Sequence, residues 1–215
     1  MPLQNRVDPF GDIHAVEARG MFTGNRGVIH DPATKTLRER RWTTNAWLMC
    51  VCDYKGRHRE VMGRNTPSGN AGWTELFFLD EVTALAAGHR PCFYCQRERA
   101  KEFARRYGEA FGKAEPRATE IDGQLHRERP ASGGAVVAIT PPRLTTLPDG
   151  AMVALRENAF AWRGDKLLPW SFRGYGKPVD PAILSASSFQ LLTPKATLAV
   201  LKAGFRPVWH ETAGQ

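Results

Sequence analysis

Two stretches, residues 47–54 and 57–63, flank Lys55-Gly56, a pair suited to a turn, and they are predicted to form a β-hairpin. In its second strand Arg57, Arg59 and Val61 fall on one face and His58, Glu60 and Met62 on the other. A polar turn over 64–72 leads to a short apolar strand at 76–79. Asp80 can then cap a helix by accepting from its first free N–H groups, and Glu81 places negative charge at the helix's positive end. Gly88 supplies a left-handed residue to end that helix, and Pro91 bars its resumption. After Cys95 a helix runs to Tyr107 or beyond, with Ala100, Phe103, Ala104, Tyr107 and Phe111 as its apolar stripe. Another, over 118–129, puts Ile121 and Leu125 on one face and is closed by Pro130.

Ser132-Gly133-Gly134 makes a flexible break. Beyond it the pattern changes to short strands at 135–139, 151–155 and 159–162, separated by Pro-Pro, Pro-Asp-Gly and Arg-Gly-Asp turns and followed by a helix over 194–202. The expected fold is therefore α+β. A hairpin, helix and Cys-knuckle module fills residues 1–131 and a β-rich half fills 135–215, as two domains or one continuous body. The first forty residues are punctuated by glycine and proline, yet Val7, Phe10, Ile13, Phe22 and Ile29 are too apolar for a disordered arm and are expected to pack back. Residues 193–207 repeat a local design: Val-Leu-Lys-Ala-Gly-Phe-Arg-Pro aligns with Ala-Leu-Ala-Ala-Gly-His-Arg-Pro at 84–91, so Gly88 and Gly204 should share a positive φ.

Cys92 and Cys95 leave the first of these units on a tight turn, the spacing with which two thiolates address one ion. Cys50 and Cys52 are the earlier cysteines; strand rise sets their Cα atoms about 6–7 Å apart on one face, so one or both can complete the site. His89 is either a further ligand or a capping or surface group. The alternative for the cysteines is a set of buried, reduced thiols.

The segment FFLDEVTALAAGHRPCFYCQRERA, residues 77–100, resembles part of the metal-binding domain of Ada-type DNA alkylation-repair proteins, where a similar helix leads through Gly-x-Arg-Pro-Cys-x-x-Cys to the second pair of zinc cysteines. In that family a first cysteine pair precedes this segment, and one of its members accepts a methyl group from a DNA phosphotriester. The resemblance implies zinc as cofactor and DNA as partner.

Composition adds a partner class. The net charge is +8, and 22 arginines stand against 8 lysines, a balance that draws a protein toward polyanions and suits bidentate phosphate contact. Arg90, Arg97, Arg99, Arg105 and Arg106, in and after the knuckle, are the expected phosphate contacts. Arg40-Arg41-Trp42 and Trp162-Arg163 are candidate base-stacking positions. No apolar run long enough to span a membrane is present, no signal-peptide core opens the chain, and a cytoplasmic protein with reduced or metal-bound cysteines is expected. The leading reading is a DNA-binding protein with a structural zinc site, and the resemblance implies a role in DNA damage handling. A nuclease-like, metal-dependent hydrolase centred on Asp122, His126 and Glu128 is the second. A metal-free interaction protein is the third.

Overall fold

The computed structural model describes residues 1–56, 59–184 and 186–214. Its first half runs β1 (Arg6–Val7), β2 (Ile13–His14), β3 (Phe22–Asn25), β4 (His30–Asp31), β5 (Thr36–Leu37), β6 (Leu48–Val51), β7 (Leu76–Phe78), α1 (Glu81–Ala86), β8 (Arg90–Pro91), α2 (Arg97–Phe111) and α3 (Ala118–Glu128). Six of these strands form one mixed sheet in the order β2-β1-β7-β3-β6-β8, while β4 and β5 make a small ribbon. The Gly-rich first forty residues thus supply three strands of the sheet, as their apolar content requires.

The expected hairpin is corrected. The Lys55-Gly56 turn is present, with φ of 54° and 65°, but β6 pairs antiparallel with β3 and parallel with β8, so both of its edges are taken. Arg57 and His58 lie outside the described residues. From residue 59 the chain is held by Glu75, which accepts from Arg59 Nε at 2.9 Å and from the Met62 N–H at 2.8 Å. A buried carboxylate, rather than a strand partner, organises this segment.

The second half comprises β9 (Val137–Ile139), the single turn α4 (Pro141–Leu144), β10 (Met152–Leu155), β11 (Asn158–Arg163), β12 (Lys166–Ser171), β13 (Gly174–Tyr175), β14 (Phe189–Leu191) and α5 (Lys195–Lys202). Its strands form an antiparallel sheet in the order β13-β12-β11-β10-β14-β9. The Pro141-Pro142 pair opens α4 rather than a simple turn, because proline at the first helical position costs no hydrogen bond. The architecture is α+β, and among the described residues no helix is long and apolar enough to cross a membrane.

The short helix α1 joins the halves. Every one of its residues is buried, which suits a helix surrounded by protein on all sides. Ala84 and Ala87 pack on the first sheet, Val82 and Ala86 on Met152, Ala161 and Leu168 of the second, and Leu85 among Phe103, Ile121 and Val200 of the helices. These shared cores run across the Ser132-Gly133-Gly134 break. Gly133, with φ of 94°, closes a 3-10 turn there.

Both Gly-x-Arg-Pro exits adopt the expected geometry. Gly88 and Gly204 have φ of 78° and 103°. In each the glycine N–H donates three residues back, to Leu85 or Leu201, and the next N–H donates five back, to Ala84 or Val200, all within 3.2 Å. This is the Schellman closure of a helix end. The residue after each glycine is an anchor: His89 sits against Trp47 and Phe78, and Phe205 against Phe103. The second exit then turns its tail onto the start of α1, where the Val208 and His210 N–H groups donate to Glu81 and Asp80.

Candidate metal centre

The first sheet has two unlike faces. Val7, Phe22, Met49, Leu76 and Phe78 point inward onto α1. Arg6, Phe77, Thr23 and Cys50, directly opposite one another across β1, β7, β3 and β6, share the other face. Continuing the β6–β8 register by one residue brings Cys92 beside Cys50, and the Cys92 N–H donates to Met49 O at 3.0 Å. Pro91 ends β8, the chain turns, and Cys95 comes back toward Cys92.

The result is a cluster of three thiols. The sulfurs of Cys50, Cys92 and Cys95 all lie within 4.8 Å of one another and can hold a metal ion. Sulfurs tetrahedrally bound to zinc at about 2.3 Å would be a little under 4 Å apart, a spacing compatible with this cluster. The Tyr94 N–H points at Cys92 Sγ from 3.4 Å. Hydrogen bonds from the Cys50 and Cys95 thiols, with backbone N–H groups of Cys95 and Tyr94, hold the Cys92 thiol well below its ordinary range. The same sharing, first with Cys92 and then with Cys95, pushes Cys50 up. The cluster therefore already favours one thiolate, and a thiophilic cation would displace the remaining protons.

Cys52 is corrected as a ligand. The strand ends at Val51 and the chain bends at Cys52, so the alternation that would have aimed both thiols at one point stops between them. The Cys52 thiol instead lies 3.5 Å from Met21 O and is raised by burial. His89 is not a ligand either. It is wholly buried between Trp47 and Phe78, where Arg26 Nε donates to its Nε2 at 3.3 Å, and burial with the nearby Arg26 and Arg129 cations keeps it neutral.

The thiol cluster forms part of the wall of a cavity of about 480 Å³, whose other walls include Tyr54, Trp73, Glu75, Phe77 and Tyr94. Trp73 carries the Arg59 guanidinium 4.6 Å from its ring centre, and Tyr54 and Tyr94 lie 5.1 Å apart. The reading from sequence missed this cavity. Its signal was the alternation of Trp73, Glu75 and Phe77 with Thr74, Leu76 and Phe78, which puts the first set on the Cys50 face and the second in the core.

The other expected sites are dispersed. Arg90 is buried and grips Asp122 through Nε at 2.7 Å and Nη2 at 2.8 Å, so it faces the core and not a phosphate. Arg99 pairs with the buried Glu81 and donates to Arg206 O. Arg105 and Arg106 both pair with Glu109. Arg97 is exposed at the start of α2. Trp162 is a core residue, 2 % exposed. Asp122, His126 and Glu128 do not converge: Asp122 serves Arg90, the His126 ring meets Trp42, and Glu128 accepts the Ala196 N–H at 2.7 Å in the first turn of α5. Comparison with protein-family models, curated proteins and solved structures gives no match to this chain.

Proposed function

We propose that the protein is a zinc-dependent nucleic-acid-binding protein in which Cys50, Cys92 and Cys95 hold one zinc ion beside a ligand cavity. The observation that carries this reading is the convergence of three thiols from β6 and the turn after β8 on the wall of that cavity. A thiolate set is the soft donor set that selects zinc among common cellular cations. Among the described residues no fourth Cys, His, Asp or Glu joins the cluster. Three protein ligands with an open position are the arrangement of a working zinc site rather than of a closed structural one.

A zinc ion so held supplies Lewis acidity toward whatever occupies its open position. The protein's own groups fix that position. Backbone N–H donation to Cys92 anchors one thiolate, the Cys92 N–H bond to Met49 ties the turn to the sheet, and Gln96 Nε2 donates to Met49 O at 2.9 Å from the head of α2. The net charge of +8 favours a polyanion, and the likeness of residues 77–100 to the Ada segment makes DNA the first polyanion to test. The dispersal of Asp122, His126 and Glu128 takes away the hydrolase centre expected at those residues.

Purified without a histidine tag, the protein should carry about one zinc per chain. Cys50→Ser, Cys92→Ser and Cys95→Ser should each lose most of it, whereas Cys52→Ser should keep it. Wild-type protein that neither contains nor takes up zinc contradicts the reading and leaves three reduced thiols, and equal loss in Cys52→Ser and Cys50→Ser contradicts the three-ligand set by adding Cys52 to it.

A further inference from the structure

We propose that the open face of the first sheet is a binding groove for single-stranded nucleic acid, with one unstacked base seated in the cavity beside the three thiols. This rests on the nucleic-acid reading above and assigns its surface, which is the sheet face and not the arginine-bearing side of α2.

The cavity does not stand alone. A second, more open hollow of about 800 Å³ adjoins it, and the two share Val61 and Phe77. Together they run from the thiol cluster across β3 and β7 to β1 and the N-terminal segment. The cavity's roughly 480 Å³ lies within the range of about 300–1,000 Å³ typical of pockets for small organic ligands, enough for a nucleotide.

The groove's chemistry selects the occupant. Base-sized aromatic surfaces recur along it: Tyr54 with Tyr94, Trp73, and Phe77. Two of them carry a guanidinium, Arg59 over Trp73 and Arg6 at 4.8 Å over Phe77. Arg19 adds a further cation to the outer hollow. Two carboxylates line the same hollows, Glu75, buried and paired with Arg59, and the exposed Glu17, so three arginines stand against two acids. Aromatic faces interleaved with arginines on an open sheet are what unpaired bases and their phosphates require, stacking for one and charge for the other. A stacked duplex hides its base faces, and an uncharged apolar peptide would bring no anion to Arg19 or to Arg6, whose acceptors Ala18 O and Asn5 Oδ1 are neutral; Arg59 already has Glu75. Asn25 accepts the Gly27 N–H through its carbonyl oxygen, which leaves its amide donors for a base edge in the cavity.

In α2, by contrast, Lys101 pairs with Glu98 and Arg105 and Arg106 share Glu109, so its cations are offset in part, and its aromatic residues Phe103 and Tyr107 are buried rather than open to a base.

The test is fluorescence anisotropy with labelled oligodeoxythymidylate and a labelled duplex, on zinc-loaded full-length protein. Wild type should bind the single strand more tightly than the duplex. Trp73→Ala and, separately, Tyr54→Ala should each weaken single-strand binding by about ten-fold or more. Trp73→Phe should restore most of it, a rescue that a merely disturbed fold would not give. Lys101→Gln/Arg105→Gln should change single-strand affinity by less than about two-fold at fixed salt. Zinc content is measured on every variant, which separates the two readings: zinc-replete protein that binds no single strand overturns the groove while the metal centre stands. Preference for duplex, or loss of binding in the α2 variant with Trp73→Ala unaffected, also overturns it. Cys50→Ser that has lost zinc yet still binds the strand upholds the groove and removes the ion from binding.

Discussion

Asp122→Ala is expected to destabilise the protein by about 3–5 kcal/mol, because it strips the carboxylate from a guanidinium that is almost entirely buried. The Arg90 and Asp122 side chains are 6 % and 8 % exposed, and two parallel hydrogen bonds join them. Arg90 also donates to Pro91 O, immediately before Cys92. Freed of Asp122, it must either drag water into the junction of β8 and α3 or leave its place, and the thiol turn moves with it. Denaturant titration should show a lower midpoint with little change in slope, and zinc affinity should fall alongside stability. Asp122→Asn keeps the shape and one acceptor and should lose less. If Asp122 were instead a catalytic carboxylate, both substitutions would abolish a reaction and leave the melt near wild type, so an unchanged melt refutes its structural assignment.

Asp80→Ala should be at least comparably severe, about 4 kcal/mol or more, since a helix cap of about 1 kcal/mol is added to three further buried donors worth about 1–3 kcal/mol each. Asp80 is wholly buried. Its Oδ1 accepts from the Thr83 N–H and Thr83 Oγ1, both at 2.8 Å, and its Oδ2 from Tyr175 OH at 2.8 Å and the His210 N–H at 3.0 Å. One carboxylate thus caps α1, holds β13 and fastens the C-terminal tail, linking elements that a separable two-domain chain would not share. Asp80→Asn preserves the cap through its carbonyl oxygen but presents an amide to Tyr175 and His210, and should fall between wild type and Asp80→Ala. Calorimetry should give a single transition for all three. Two transitions in Asp80→Ala, with one at the wild-type temperature, would mean that the halves fold independently.

What sequence could disclose divides along physical lines. Helices with their own signals were legible: the Asp80 cap, the Gly88 and Gly204 exits, the stripe of α2 and the Ile121–Leu125 face of α3 all depend on neighbours a few residues away. Strands of two to four residues carry little periodicity, and their partners are set by tertiary packing. Nothing local to Phe22 indicates that it will lie opposite Val51. The same limit governs the site. The Cys92–Cys95 turn follows from local chemistry, but the choice of Cys50 over Cys52 is made where β6 ends, and that end is fixed by pairing with β3 and β8. Long cations are the hardest to place, since an arginine serves a surface or a buried acid equally well. Arg90 and Arg99 were turned inward by Asp122 and Glu81, neither of which a one-dimensional reading can bring beside them.

The central claim is an open three-thiolate zinc centre, and X-ray absorption at the zinc edge of the purified protein tests it most directly. The account predicts three sulfurs at about 2.3 Å and one lighter atom at about 2.0–2.2 Å, with the sulfur number unchanged in Cys52→Ser. Four sulfurs in the wild type, falling to three in Cys52→Ser, would contradict it by making Cys52 a ligand and the site closed.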